Sequence, residues 1–194
     1  MYLLNRAAKI ILSPRTEWAV VATEPAKIGR LYSGYIIPLA LIGPVCAVFA
    51  RTAHAHSIFL GLTSAVILFV LELLGVLAVA LVANALAPSF GAETSLTQAF
   101  KWVAYATTPH WVAGITKLIP VLGGIFGLVG SVYGLYLLYL GSIPVMRVPR
   151  NNATAYTVGV YICFALAITV IGLAGALLAG AIAASALLWS AAHR

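Results

Sequence analysis

Apolar runs of roughly 20 residues recur along this chain, and each is long enough to cross a ~30 Å hydrocarbon core as a helix. In lipid every backbone N–H and C=O must be satisfied within the chain, so runs of this length become helices. Composition agrees: 63% of the 194 residues are hydrophobic and 8% are charged, against about 45–50% and about 25% in soluble domains. The fold class read from the chain is all-α. It is a polytopic membrane protein with five transmembrane helices and a short amphipathic cytoplasmic N-terminal segment.

Residues 1–30 form the interfacial segment and residues 31–194 the five-helix domain. In the first part, Leu4, Ala7, Ala8, Ile11 and Leu12 recur at helical spacing, with Asn5, Arg6 and Lys9 opposite. That pattern predicts a short helix lying in the interface. Ser13 and Pro14 have the character of an N-cap and first helical position for a second short helix carrying Trp18. Pro25 closes it. The first 30 residues hold no apolar core suited to a secretory signal.

The predicted spans are Tyr32 to Ala50, Ile58 to Leu86, Phe100 to Ile119, Val121 to Ile143 and Thr157 to Trp189. Pro38 and the Gly43-Pro44 pair interrupt the first. Only Pro120 separates the third from the fourth, which predicts a tight hairpin. With the N-terminus inside, Arg6, Lys9, Arg15, Lys27, Arg30, Lys101, Arg147 and Arg150 are cytoplasmic, and Arg51, Lys117 and Arg194 are outside. That asymmetry favours N-in and C-out in the cell (inner) membrane. The net charge of +7 then reads as anchoring to an anionic membrane surface rather than to nucleic acid.

Membrane helices associate through small residues that let backbones approach. Gly123, Gly127, Gly130, Gly134 and Gly141 fall within about 60° of one another at about 100° per residue. They predict a packing seam on the fourth span, with Tyr133, Tyr136 and Tyr139 on the other side. On the second span, Gly61, Ala65, Gly75, Val79 and Ala83 share the face of Glu72, whereas Ile67, Val70, Leu74, Leu77 and Leu81 lie opposite. Glu72 therefore points into the bundle.

A carboxyl at that depth costs about 2.5–3.5 kcal/mol or more if it faces lipid, so it requires a partner. The stretch YATTPHWVAGITK, from Tyr105 to Lys117, offers one. Pro109 removes a backbone donor and frees the Tyr105 carbonyl, which then needs water or a hydroxyl. Glu72, Thr107, Thr108, His110 and Lys117 make up the candidate intramembrane polar site. It either handles protons, ions or solutes or fixes the register of the helices.

Catalytic chemistry finds no motif. The chain has no aspartate, and its acidic residues are Glu17, Glu24, Glu72 and Glu93. There is no Gly-x-Ser-x-Gly elbow, phosphate loop, His-Glu-x-x-His or Cys-x-x-Cys. His54 and His56 are two ligands at most, which is short of a metal site. Cys46 and Cys163 lie within apolar runs and read as small hydrophobes. The chain is read as no enzyme, with no cofactor.

The order of features resembles the bacterial branch of the Yip-domain family, the Ypt-interacting membrane proteins. The resemblance rests on SPRTEW (Ser13–Trp18), YATTPHWVAGI (Tyr105–Ile115), IPVLGGIFGLVGSVYGLYLLYLGSIPVM (Ile119–Met146) and VPRNNATAYTV (Val148–Val158). It implies five transmembrane helices after a cytosolic N-terminal segment. Eukaryotic relatives are linked to Rab-type GTPases, but their Asp-Leu-Tyr-Gly-Pro motif is not intact in RLYSGYIIP (Arg30–Pro38), so a GTPase partner does not carry over. The glycine seam, the basic interfacial N-terminus and the absence of catalytic motifs are read as a non-catalytic membrane scaffold or adaptor. Its partners are the lipid bilayer and proteins, whether another membrane protein or a second copy of the chain. The alternative is a small transporter or channel using the Glu72 and His110 cluster.

Overall fold

The computed structural model describes residues 2–52, 58–166 and 169. Among them the chain is helical, without strands. Two short helices, α1 (Tyr2–Leu12) and α2 (Pro14–Thr23), precede the first span. That span, Ile28–Ala50, is assembled from α3 (Ile28–Leu31), a π-helical turn (Tyr32–Ile36), α4 (Ile37–Ala40) and α5 (Ile42–Thr52). A long helix α6 (Ile58–Leu86) follows and ends in a 3-10 turn, Ala87–Phe90. Next come α7 (Leu96–Ala106), α8 (Thr108–Ala113) and a 3-10 turn, Gly114–Leu118. The fold continues with α9 (Pro120–Met146) and α10 (Ala153–Leu166).

Three helices among the described residues are long and apolar enough to cross a membrane: Ile28–Ala50, Ala65–Phe90 and Val121–Met146. They account for the first, second and fourth predicted spans. The third is not one helix. It breaks at Thr107 because Pro109 has no N–H for the Tyr105 carbonyl and its ring crowds that oxygen. Thr108 resolves the break locally: its Oγ1 donates to the Tyr105 carbonyl at 2.7 Å, supplying the hydroxyl that the proline calls for. Of the fifth span, only the part within α10 lies among the described residues. The loop carrying His54 and His56 lies outside them.

Pro38 acts similarly in the first span. Its ring cannot accept a regular turn against the Gly34 carbonyl, and the helix widens just before it. The Ile37 N–H reaches the Tyr32 carbonyl, five residues back. Short π insertions of this kind often re-aim side chains at functional sites. Here Tyr35 turns inward, with its ring edge-on to Tyr105 at a centroid distance of 4.6 Å.

The core forms around α7, whose residues Ala99 to Ala106 are all buried. Trp102 is fully enclosed. Its indole Nε1 donates to the Leu138 carbonyl of α9 at 2.8 Å, and its ring stacks on Tyr156 at 5.4 Å. The Tyr156 hydroxyl in turn donates to the Ala83 carbonyl of α6 at 2.8 Å. Indoles and phenols suit this position because each buries a large apolar body while its polar tip satisfies a carbonyl. Large apolar side chains that remain exposed, such as Val66, Ile67, Leu74, Val121, Leu128 and Val132, mark the faces that α6 and α9 turn to lipid.

The N-terminal segment departs from its expected amphipathic pattern at Arg6. Residues of α1 and α2 belong to the same compact unit as the spans, Met1–Val160. The second unit, Tyr161–Arg194, is described here only through the end of α10 and Thr169. Ile10, Trp18 and Val21 are core residues, and Arg6 is buried with them rather than turned outward. The Tyr133 hydroxyl of α9 donates to the Ile11 carbonyl at 2.7 Å, which ties α1 to the fourth span.

Candidate functional site

The buried Arg6 is explained by two of the four carboxylates in the chain. Its guanidinium Nη1 pairs with Glu17 and its Nη2 with Glu24, and its Cζ lies 5.9 Å from the centre of the Tyr105 ring. A planar guanidinium suits this arrangement because its fork can serve two acceptors while its face rests on an aromatic ring. Lys101 enters from α7, also buried, and its ammonium donates to the Glu24 carbonyl at 2.9 Å. The four charges balance, which is the condition for burying them at all.

Beside this cluster lies a pocket of about 450 Å³, lined by Glu24, Lys27, Arg30, Ser33, Tyr35, Lys101 and neighbouring apolar residues. It sits where the extended residues after α2 turn into the first span. The π turn forms one wall. Gly34 belongs to that wall, and a Cβ added there meets nothing within 4 Å.

The candidate intramembrane site is not gathered as the sequence suggests. Glu72 is half-buried on α6 and meets the third segment further along: the Trp111 side chain faces its carboxyl, and the Lys117 charge acts on it. Its Oε2 has no hydrogen-bond partner. His110 looks the other way, towards α9, with Nδ1 3.2 Å from Ser131 Oγ. Ser131 spends its proton on the Gly127 carbonyl at 2.8 Å, so Nδ1 carries the hydrogen of this contact.

Thr107 closes on its own helix, donating to the Val103 carbonyl at 2.9 Å. Thr108 Oγ1 and the Tyr35 hydroxyl are 2.7 Å apart. The only Thr108 proton already goes to Tyr105, so Tyr35 is the donor. Adjacent residues on a helix point about 100° apart, which is why Trp111 reaches Glu72 and His110 does not.

The glycine seam is narrower than its spacing implies. A Cβ at Gly130 would lie 2.8 Å from the Pro109 carbonyl oxygen, and one at Gly134 would lie 3.1 Å from that of Ala106. At Gly141 it would fall 2.7 Å from Trp102 and 2.8 Å from Trp18. A Cβ added at Gly123 would lie 2.9 Å from the Lys117 Cα of the preceding turn. Gly127 is the exception: an added Cβ there touches nothing within 4 Å. It shares the face, but the space beside it is open.

Sequence reasoning missed two features. One is a crossing in which Gly114 meets the Gly43 backbone, an added Cβ falling 2.8 Å from the Gly43 Cα. Gly43 and Gly114 each stood in an apolar span, and single glycines there give no pairing signal. The other is the Arg6, Glu17, Glu24 and Lys101 cluster. Two of only four acidic residues in the first 30 positions were the available sign.

No curated protein and no solved structure matches the chain. The Yip1 domain family model does match, over residues 8–172, and so takes in the end of α1, all of α2, the π-turned first span, the broken third segment and the glycine-lined α9. With most of its length inside that match, the chain belongs to the Yip1 domain family.

Proposed function

We propose that this Yip1 domain protein is a five-span protein of the inner membrane with its N-terminus in the cytoplasm, acting as a non-catalytic scaffold or adaptor that binds proteins or lipids. The third crossing comprises α7, Thr107, α8 and the 3-10 turn. Residues 96–118 are long enough in sum for a ~30 Å core at about 1.5 Å per residue. The fifth begins with α10. Orientation rests on the basic asymmetry.

One observation carries the scaffold reading. Glu72 turns to Trp111 and His110 turns to Ser131 of α9, and what the two share is the charge of Lys117; this arrangement supports a polar cluster that fixes helix register over a relay between them. In the same structure α1 and α2 are built into the bundle by a buried ionic cluster and present a formed surface beside the pocket. The transport reading keeps one observation in its favour, the unpartnered Glu72 Oε2.

Flux in proteoliposomes separates the two. A scaffold gives no proton or ion flux above that of empty vesicles, and flux abolished by Glu72→Gln would replace the reading with transport. Orientation is tested by replacing Cys46 and Cys163, then labelling single cysteines from each side. A cysteine at position 152 labels from the cytoplasm and one at position 54 from outside; the reverse pattern inverts the topology.

A further inference from the structure

We propose that the pocket between the end of α2, the start of the first span and α7 binds the phosphate-bearing headgroup of an anionic lipid. It rests on the scaffold reading in that it takes the N-terminal side as a lipid-binding face.

Charge is the first argument. Lys27, Arg30 and Lys101 line the pocket against a single carboxylate, Glu24. That carboxylate is already paired with Arg6, and Glu17 and Glu93 are paired with Arg6 and Arg147. Glu72 faces Trp111 and Lys117. Among the described residues Lys27 and Arg30 therefore have no carboxylate partner, and both are exposed at the pocket mouth. The floor is built rather than incidental: Lys101 is buried, and its Nζ is held in place by the Glu24 and Ala22 carbonyls at 2.9 and 3.5 Å. An ammonium has three donors, so one N–H is left for a ligand. Ser33 adds a hydroxyl at the wall.

Place and size are the second argument. The volume, about 450 Å³, lies within the roughly 300–1,000 Å³ of small-molecule sites. The pocket is lined by residues on either side of the start of the membrane-crossing helix Ile28–Ala50, Lys27 before it and Arg30 and Leu31 in its first turn, and the start of a span is the level of lipid headgroups. Pro25, Ala26 and Leu31 supply apolar wall for a glycerol backbone beneath a phosphate. Basic side chains at the end of a span attract anionic headgroups, and here they converge on a cavity instead of spreading over a surface. A membrane lipid fits this position better than a soluble phosphate compound, which would have no use for the apolar wall.

The test uses the full chain in detergent micelles and native mass spectrometry. The probes are dioleoyl phosphatidylglycerol, dioleoyl phosphatidylcholine and inorganic phosphate. Phosphatidylglycerol is retained in preference to phosphatidylcholine. The K27Q/R30Q double variant loses about 25-fold in affinity for it, the product of about fivefold for each basic residue near an anionic surface. K9Q/R15Q removes the same charge from exposed positions outside the pocket and leaves retention unchanged. Gly34→Phe fills the pocket without altering charge, at a position with open space, and it also lowers retention. Melting temperatures of all variants monitor folding.

Equal retention by wild type and by either pocket variant overturns the proposal, as does an equal loss in K9Q/R15Q. Inorganic phosphate that binds as tightly as the lipid assigns the site to a free anion and overturns the lipid as its source. The flux and labelling measurements bear on the scaffold reading independently, because lipid retention in micelles depends on neither transport nor orientation.

Discussion

Replacing Gly130 and Gly127 by alanine, one at a time, isolates what close approach contributes to this bundle. Both glycines lie within α9 on the same face, so the gain in helix propensity, about 0.8–1 kcal/mol, is common to both and cancels in the comparison. What differs is the space. At Gly130 the new methyl lands 2.8 Å from a backbone oxygen and 3.1 Å from the Ala113 Cβ, whereas at Gly127 nothing lies within 4 Å. A backbone oxygen cannot rotate away, so α8 and α9 must separate. Overpacking of that kind costs about 1–3 kcal/mol.

Gly130→Ala is therefore less stable than Gly127→Ala by about 1–3 kcal/mol. At about 2–4 °C per kcal/mol for a chain of 150–250 residues, the gap is roughly 2–12 °C. Fluorescence-detected size exclusion after heating in mild detergent reads it directly. If Gly130→Ala melts at or above Gly127→Ala, the seam is not where the helices touch.

Arg6→Gln strands the buried Glu17 carboxylate and lowers stability by about 3–5 kcal/mol; adding Glu17→Gln recovers part of the loss, and strict additivity in that double-mutant cycle would refute the pairing. Gly114→Ala lowers the melting temperature by forcing its methyl against the Gly43 backbone, and a melt identical to wild type would place the crossing elsewhere. Glu72→Gln melts with wild type, while Glu72→Lys sets a second ammonium beside Lys117 and melts lower. Equal melts for those two variants would show that Lys117 does not act on position 72. Leu137→Ala empties a fully buried site and costs about 2–5 kcal/mol, measured in the same detergent assay.

Hydropathy made the long helices legible because lipid imposes helix on any apolar run of sufficient length. The second span, Ile58–Leu86, coincides with α6. The third was illegible as a break because its hydropathy continues through Thr107; the local chemistry of Pro109 and Thr108 decides the geometry there. Small-residue spacing located Gly130, Gly134 and Gly141, since periodicity fixes a face. It could not tell that Gly127 stands beside open space, because that depends on what lies opposite.

Depth and small-residue faces bring Glu72 and the third segment together on paper, but they do not fix which residue of that segment turns to the carboxyl, and Trp111 rather than His110 does so. Arg6 was read from its own helix, where it belongs to the polar face. Its burial depends on Glu17 and Glu24 arriving from α2 and the residues after it, and on Tyr105 arriving from α7, a relation no single-helix pattern contains.

The tie between Tyr133 and Ile11 spans 122 residues, and this sets an order of events at the ribosome. At about 5–20 residues per second, the acceptor on α1 is made about 6–24 s before its donor. The partners of Trp18 on α7 and α9 are similarly late. A nascent α1 and α2 must wait, and the membrane surface is the place where Ile10 and Trp18 can be sheltered while Arg6 stays wet. The N-terminal pair closes the assembly: it locks a bundle that has already crossed the membrane, so a chain truncated before Tyr133 would leave its first helices stranded on the bilayer.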